Sequence, residues 1–360
     1  MKIAMIGHKR IPGREGGVEV VVQELATRLA TEGHSVVAYN RRKKGTKLPH
    51  SYKGVTLVNV PTIEKKSTDA VVYSFLATIK AIFGHFDVIH YHAIGPSVFL
   101  IIPHIFGIKT VVTVHGLNYK TSKWTGFAVK FIKLGEKITA KYADEVIVLS
   151  KEQQEYFQRV YGRKTVYIPN GTALQPIETA DFITRKYGLT KGGYILYLSR
   201  VVPGKGLEYL LDAYRQLDYS YPLIIAGGSE FVDDFYNMIL EKAKLDNRVK
   251  LIGFVDGKIL RELYSNAKLF VFPSEAEGMP MCLLEALSYN CPCLVSDIPE
   301  NIEVGANFVE TFESKNTDSL RDKLQYCIEN IGNFSDSRDY IEENYAWENV
   351  VQKTLKCYGE

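Results

Sequence analysis

Residues 1–40 read MKIAMIGHKRIPGREGGVEVVVQELATRLATEGHSVVAYN. A short apolar run, KIAMI, enters a turn carrying Gly7, Gly13, Gly16 and Gly17. Apolar residues then recur at helical spacing through GGVEVVVQELATRLATEG, which stops at Gly33, and a second apolar run, SVVAY, follows. Strand, glycine turn, amphipathic helix and strand in that order form a β-α-β unit, which builds a parallel sheet through a right-handed crossover.

The turn itself leaves two readings open. It is not G-x-G-x-x-G, and no G-K-[ST] follows, so neither dinucleotide nor Walker A chemistry is written in it. Gly16 and Gly17 at a helix N-terminus would let an anion approach free backbone N–H groups and the positive end of the helix dipole. Equally, a tight strand-to-helix turn needs glycine for its conformation alone.

The same alternation runs through the chain. VTLVNV, DVIHYH, TVVTVH, EVIVLS and TVYIP extend the first series, and YILYLS, PLIIAG, VKLIGF, LFVFPS and PCLVS form a second. Most are continuous Val- and Ile-rich runs, as expected of strands covered on both faces. The β-α-β order restarts near residue 193, after the strandless stretch IPNGTALQPIETADFITRKYGLTKGG. The expected fold is therefore α/β, with two Rossmann-like, doubly wound parallel-sheet domains facing across a cleft. The domains are placed at 1–172 and 173–338, and a helical end at 339–360 returns toward the first.

Composition fits that expectation. The 360 residues are 46% hydrophobic and 24% charged with a net charge of +3, which gives no reason to invoke nucleic acid. The five cysteines show no zinc spacing and read as buried thiols of a reducing cytoplasm. KIAMI is too short for a signal peptide, and SVFLIIPHIFGI, broken by Pro103 and His104, falls short of the roughly 20 residues of a membrane span. A soluble or peripheral cytoplasmic protein is expected.

Two further stretches carry chemistry. In LSRVVPGKG a strand ends at Arg200 and Lys205 follows five residues later. Loops at the C-terminal edge of parallel strands are where open α/β sheets bind ligands, and two cations there could clamp a diphosphate. In FPSEAEGMPMCLLEALSYNCPCLVS, Glu277 precedes Gly278, Met279, Pro280 and Met281, and Glu285 stands eight residues on. A carboxylate among Cys282, Leu283, Leu284 and Leu287 is costly unless donors reach it, and sugar or ribose hydroxyls are suitable donors.

Taken together, these stretches resemble the retaining glycosyltransferases of family 4, which have the GT-B fold. The matching features are Glu277-x7-Glu285, the Arg200/Lys205 pair, the Gly16–Gly17 turn, TVHG with His115, ADEVIVLS, IPNG, IGFV and YAWENV, in the family's order along nearly the whole chain. HYHAIGPS, VHGLNYKTSKW and GEKITAKYADEVIVLSKEQQEYF are similar to the subgroup of bacterial capsule, exopolysaccharide and rhamnosyltransferases. The loop EGMPMC departs from the Phe and Gly that many relatives carry after the first glycine.

The resemblance implies that Arg200 and Lys205 bind the donor diphosphate and assist its departure. Glu277 and the backbone of Gly278–Met281 would hold the donor sugar, and Glu285 the ribose. Gly253, Phe254 and Val255 would contact the base, while Gly16 and Gly17 would approach the diphosphate from the other domain. His115 would sit near the transferring sugar. His92 is an acceptor-side candidate, and His90 a core histidine. The implied donor is a nucleotide-diphosphate sugar, UDP-linked, with dTDP or GDP as alternatives; the implied acceptor is a glycan or lipid-linked glycan. No D-x-D motif occurs, so no metal and no cofactor are expected.

One more stretch bears on location. In KWTGFAVKFIKLGEKITAKYADE, Phe127, Phe131, Leu134 and Ile138 share helical spacing beside Lys130, Lys133, Lys137 and Lys141, with Lys120, Lys123 and Trp124 ahead of them. The region Lys120–Lys141 could lie on an anionic membrane surface, or be a domain helix with solvated lysines. The rival functions are a GT-B epimerase or hydrolase of nucleotide sugars, and a silent partner subunit.

Overall fold

The computed structural model describes residues 1–14, 16–63, 68–117, 126–229 and 234–360. They form two compact units, Met1–Gly171 with Trp347–Glu360, and Thr172–Ala346.

In the first unit the opening β-α-β is β1 (Lys2–Ile6), α1 (Gly17–Thr31) and β2 (Ser35–Arg42). A small hairpin, β3 (Ser51–Tyr52) with β4 (Val55–Pro61), leads to α2 (Asp69–Ile82) and β5 (Val88–His92). Then come α3 (Ile101–Ile105), β6 (Lys109–Val114), α4 (Phe127–Tyr142), β7 (Glu145–Val148), α5 (Lys151–Tyr161) and β8 (Val166–Tyr167). The sheet order is β3-β4-β2-β1-β5-β6-β7-β8, and only the β3 edge is antiparallel. β1 is thus central, and the chain reverses its winding between β1 and β5. The strands are buried as their continuous apolar runs predict: all of β5 is inaccessible, and Ile3–Ile6 of β1 are fully covered.

The second unit opens with α6 (Phe182–Tyr187), whose first amides are capped from a distance. The buried Glu262 carboxylate accepts from the N–H groups of Asp181 and Ile183, both at 3.0 Å. The sheet elements are β9 (Ile195–Leu198), α7 (Leu207–Arg215), β10 (Leu223–Ala226), α8 (Asp234–Lys244), β11 (Val249–Gly253), α9 (Gly257–Asn266), β12 (Leu269–Phe272), α10 (Met281–Ser288), β13 (Cys293–Ser296), α11 (Pro299–Gly305) and β14 (Val309–Phe312). α12 (Thr317–Glu329) and α13 (Arg338–Tyr345) complete it. The six strands are all parallel in the order β11-β10-β9-β12-β13-β14, a doubly wound arrangement whose switch point lies between β9 and β12.

Helix α14 (Trp347–Tyr358) belongs to the first unit, so the segment expected at 339–360 is divided, with α13 in the second unit. Trp347 is buried with Arg28 of α1 over its ring at 5.4 Å, and the Tyr358 hydroxyl bonds His90 of β5 at 2.7 Å. Two strands, β3 and β14, were not among the expected runs. SY and VETF are short and largely polar, and pairing alone makes them strands.

All five cysteines are free. Burial pushes the thiols of Cys282, Cys291 and Cys327 up to about 12. No described helix is long and apolar enough to cross a membrane.

Candidate active site

The loops leaving β9 and β12 meet at the switch point of the second sheet. Arg200 stands exposed two residues beyond β9, and no described group pairs with its guanidinium. Lys205, further along the same loop, donates to Glu277 in the loop after β12; the two side chains are 15% and 11% exposed. The ammonium also lies 5.7 Å from the Phe272 ring centre. The loops are held together by backbone. The Glu275 N–H donates to the Gly204 carbonyl at 3.0 Å, and a Cβ on Gly206, whose φ is +69°, would stand 1.9 Å from the Pro273 carbonyl oxygen. Glycine is required there because the chain turns left-handed against a neighbouring backbone. Sequence spacing places a cation and an acid in the two loops; only the fold makes them one ion pair. Lys205 is thus neutralised by Glu277, and Arg200 remains the open cation.

Beyond Glu277 the chain enters α10. Met279 and Pro280 are buried, Gly278 and Met281 half-buried. The half-buried Glu285 carboxylate lies 3.3 Å from the buried Tyr264 hydroxyl of α9, which is also 3.3 Å from the Cys282 carbonyl. The donor that this acid needs is therefore supplied in part by the protein. Tyr264 escaped the sequence reading because a tyrosine inside an amphipathic helix looks like ordinary core. Gly253 ends β11 with φ +72° and its carbonyl accepts from Gly227 at 2.8 Å. Phe254 follows with 61% of its surface exposed, and Val255 is half-buried. An aromatic ring left open at the C-terminal edge of a parallel sheet is able to stack on a planar group.

The first unit carries its own cluster at the β1/β5 switch point. Gly16 caps α1 in extended backbone, and Gly17 begins the helix. The buried Glu19 carboxylate belongs to this turn: it accepts from the Lys9 N–H at 2.9 Å, and a Cβ on Gly16 would fall 2.8 Å from its other oxygen. Gly16 thus makes room for an acid at the helix N-terminus, where a carboxylate meets the dipole favourably. The sequence leaves an external anion and backbone conformation alone as the two readings of this turn; an acid supplied by the chain itself, Glu19, is neither.

Histidines line the C-terminal ends of β1, β5 and β6. His90 is fully bonded, to Tyr358 and to the Thr113 hydroxyl, each at 2.7 Å, and burial lowers it to about 3. His92 is inaccessible; its Nδ1 lies 3.1 Å from Nε2 of the half-buried His115. Burial holds His92 well below the ordinary histidine range, helped by His90, His115 and His8, and burial lowers His115 to about 4. His8, also buried and lowered to about 4, was not singled out from the sequence. Its place directly after β1 and Gly7 was the available signal.

On α4 the lysines Lys130, Lys133, Lys137 and Lys141 are all exposed. The expected apolar stripe is not a single face. Of the expected positions Ile138 is buried and Phe131 half-buried, but Leu134, 48% exposed, stands among the lysines; Ile132, Gly135, Glu136 and Thr139 are buried as well. Glu136 is tolerated because the hydroxyls of Tyr156 and Tyr161 donate to it at 2.7 and 2.6 Å. Lys120, Lys123 and Trp124, and the side chain of Phe127, lie outside the described residues. Among the described residues, no group of three His, Cys, Asp or Glu side chains is placed to hold a metal ion.

Comparison with known proteins matches this architecture. The family model for glycosyltransferase family 4 matches residues 15–175, and that for glycosyl transferases group 1 matches 180–347. O-antigen chain mannosyltransferase B of Escherichia coli is 28% identical over 183 residues, 49% of this chain and 48% of that enzyme. The GPI3 subunit of phosphatidylinositol N-acetylglucosaminyltransferase from Saccharomyces cerevisiae is 25% identical, covering 95% of this chain and 79% of its own. The E. coli UDP-Gal:alpha-D-GlcNAc-diphosphoundecaprenol alpha-1,3-galactosyltransferase is 27% identical over 60% of this chain and 59% of its own. Among solved structures, sucrose-phosphate synthase of Thermosynechococcus elongatus superposes with a TM-score of 0.85 at 21% identity, covering 99% of this chain and 98% of its own. Anabaena Alr3699/HepE in complex with UDP-glucose has a TM-score of 0.78 at 18% identity, covering 99% of this chain and 98% of its own. With a glycosyltransferase family model on each of its two parallel-sheet units, the chain is a glycosyltransferase of the GT-B, family 4 type.

Proposed function

We propose that this glycosyltransferase moves a hexose or deoxyhexose from a nucleotide-diphosphate sugar to a lipid-linked glycan in bacterial surface polysaccharide synthesis, retaining the anomeric configuration. The observation that carries the reading is the pairing of Lys205 with Glu277 beside the open Arg200 at the switch point of the second sheet. Cleaving a sugar–phosphate bond puts positive charge on the anomeric carbon and negative charge on the leaving diphosphate. Arg200 and Lys205 meet the growing negative charge, which is where a fixed cation lowers the barrier most. Glu277 releases part of its hold on Lys205 to accept from sugar hydroxyls, together with the backbone of Gly278–Met281.

Glu285 accepts from the ribose, and Gly253, Phe254 and Val255 receive the base. In the first unit, His115 and the Gly16–Gly17 turn are the candidate substrate contacts. A UDP donor is preferred because the galactosyltransferase relative is named for UDP-Gal; dTDP and GDP are the alternatives. The surface-polysaccharide assignment is supported by the O-antigen and diphosphoundecaprenol relatives. The sequence carries no D-x-D, so the diphosphate charge is met by Arg200 and Lys205. The exposed lysines of α4 would hold the enzyme to an anionic inner leaflet, each contributing about 1 kcal/mol near the surface.

The test is a thermal-shift screen of nucleotides and nucleotide sugars, followed by turnover of Arg200→Ala and Lys205→Ala with the donor it identifies. A ligand at 100 times its Kd raises stability by about 2.7 kcal/mol. Both variants should lose at least about a hundredfold in kcat, the scale of removing one charge-stabilising group. Near-normal turnover in both would overturn the mechanism.

A further inference from the structure

The histidine cluster of the first unit contains a proton whose position is decided by its surroundings. His92 and His115 share one hydrogen bond, Nδ1 to Nε2 at 3.1 Å, so one ring donates and the other accepts. The remaining nitrogen of His92, Nε2, is buried and has no partner among the described residues. If His115 were the donor, the proton of His92 would sit on Nε2 as a buried N–H without an acceptor. Such orphaned donors are rare and cost about 1–3 kcal/mol.

The neighbours do not remove that cost. His90 stacks on His92 with ring centres 4.1 Å apart, but its own two nitrogens are spent on Tyr358 and Thr113. The tautomer of His8 is fixed independently. The Asn40 amide is oriented by Ile11, whose N–H donates to Oδ1 at 2.9 Å and whose carbonyl accepts from Nδ2 at 2.8 Å. Nε2 of His8 lies 3.1 Å from that same Oδ1, so Nε2 must carry the proton. Its bare Nδ1 makes no hydrogen bond to His92 or to any other described group.

We infer that His92 is a positioning residue whose Nδ1–H donates to Nε2 of His115, leaving His115 with its own proton on Nδ1. Gly7 fixes the frame. Its φ is +124°, and a Cβ there would stand 2.1 Å from the His92 carbonyl oxygen, so β1 and β5 close around the pair. His115 then presents an N–H from a half-buried ring and has no lone pair left to take a proton. Within the transferase reading, on which this clause rests, His115 donates a hydrogen bond to a substrate oxygen and is not a general base. His92, being inaccessible, touches no substrate and acts only through His115. The acceptor-side contact expected of His92 is replaced by an orienting one.

The experiment is a long-range ¹H–¹⁵N spectrum of the imidazoles in the full chain at neutral pH, in which protonated and bare ring nitrogens resonate far apart. The expected spectrum shows His115 protonated on Nδ1 and bare on Nε2; a proton on Nε2 of His115 overturns the inference. Kinetics give a second readout. His92→Asn keeps a donor where Nδ1 stood and should stay within about threefold of the parent kcat. His92→Phe should lose about 10–100-fold in kcat with KM little changed, the range for orienting partners of functional histidines. Equal losses in both variants would also overturn it. The spectrum needs no substrate, so absence of turnover with every nucleotide sugar would count against the transferase reading alone.

Discussion

Removing one partner of the Lys205–Glu277 pair has a predictable size. The two side chains are only 15% and 11% exposed, so this is closer to a buried pair than to a surface one. Breaking a fully buried pair costs about 3–5 kcal/mol, whereas an exposed pair is worth about 0–1 kcal/mol. The residual exposure and the open loops around it argue for about 2 kcal/mol. Lys205→Met keeps the aliphatic stem against Phe272 and strands the carboxylate; Glu277→Gln keeps the shape and strands the ammonium. Each single variant should therefore lower the melting temperature by about 4–8 °C, at roughly 2–4 °C per kcal/mol for a domain of this size. The double variant removes both charges, so most of the loss should return, with a coupling of at least about 1 kcal/mol in the cycle. The assay is thermal and chemical denaturation of the four proteins without ligand, followed by fluorescence: the first reads the melting temperatures, the second the free energies of the cycle. Additive single losses, with coupling under about 0.5 kcal/mol, would refute the pair as an energetic unit and with it the idea that Glu277 holds Lys205 in place.

Gly206→Ala should destabilise by about 2–4 kcal/mol, because the new Cβ would collide with the Pro273 carbonyl in backbone that already disfavours a side chain; denaturation midpoints measure it. Tyr358→Phe removes the hydroxyl that satisfies Nδ1 of His90, and should cost about 1–2 kcal/mol while loosening the end of α14, seen as faster amide exchange there. The buried histidines set an acid limit. His8, His90 and His115 are lowered to about 4, 3 and 4, while in the unfolded chain each titrates near 6.5. Below that value the unfolded state binds more protons, so stability falls as pH drops from about 6.5 toward 4, by roughly 2 kcal/mol per histidine at pH 5. With His92 also held well below the ordinary range, potentiometric unfolding at pH 5 should show uptake of up to about four protons, one for each of these histidines; no uptake would refute the neutral cluster.

Much of this was written in local sequence. Continuous apolar runs separated by amphipathic helices require parallel strands covered on both faces, which is why the two doubly wound sheets were legible in the sequence. Arg200, Lys205, Glu277 and Glu285 stood out in the sequence as candidates, by their spacing in two loops and by the family resemblance, and the fold brings Lys205 and Glu277 together. Strands β3 and β14 were not, since their pairing comes from neighbours and not from their own side chains. On α4 one expected position, Leu134, is left among the lysines while Ile138 is buried, and Glu136 is buried because two tyrosines of α5 reach it.

What sequence alone determined is the periodicity of each element and the loops in which chemistry is concentrated. Tertiary structure decided which of those residues meet. Lys205 and Glu277 are 72 positions apart, Tyr264 and Glu285 are 21 apart, and His90 and Tyr358 are 268 apart. A hydrogen bond or ion pair acts over about 3 Å, and nothing in the spacing of such distant residues fixes that distance; strand order does. The same holds for the proton on His92: its residue type permits either tautomer, and the burial of one nitrogen beside the bond made by the other selects between them.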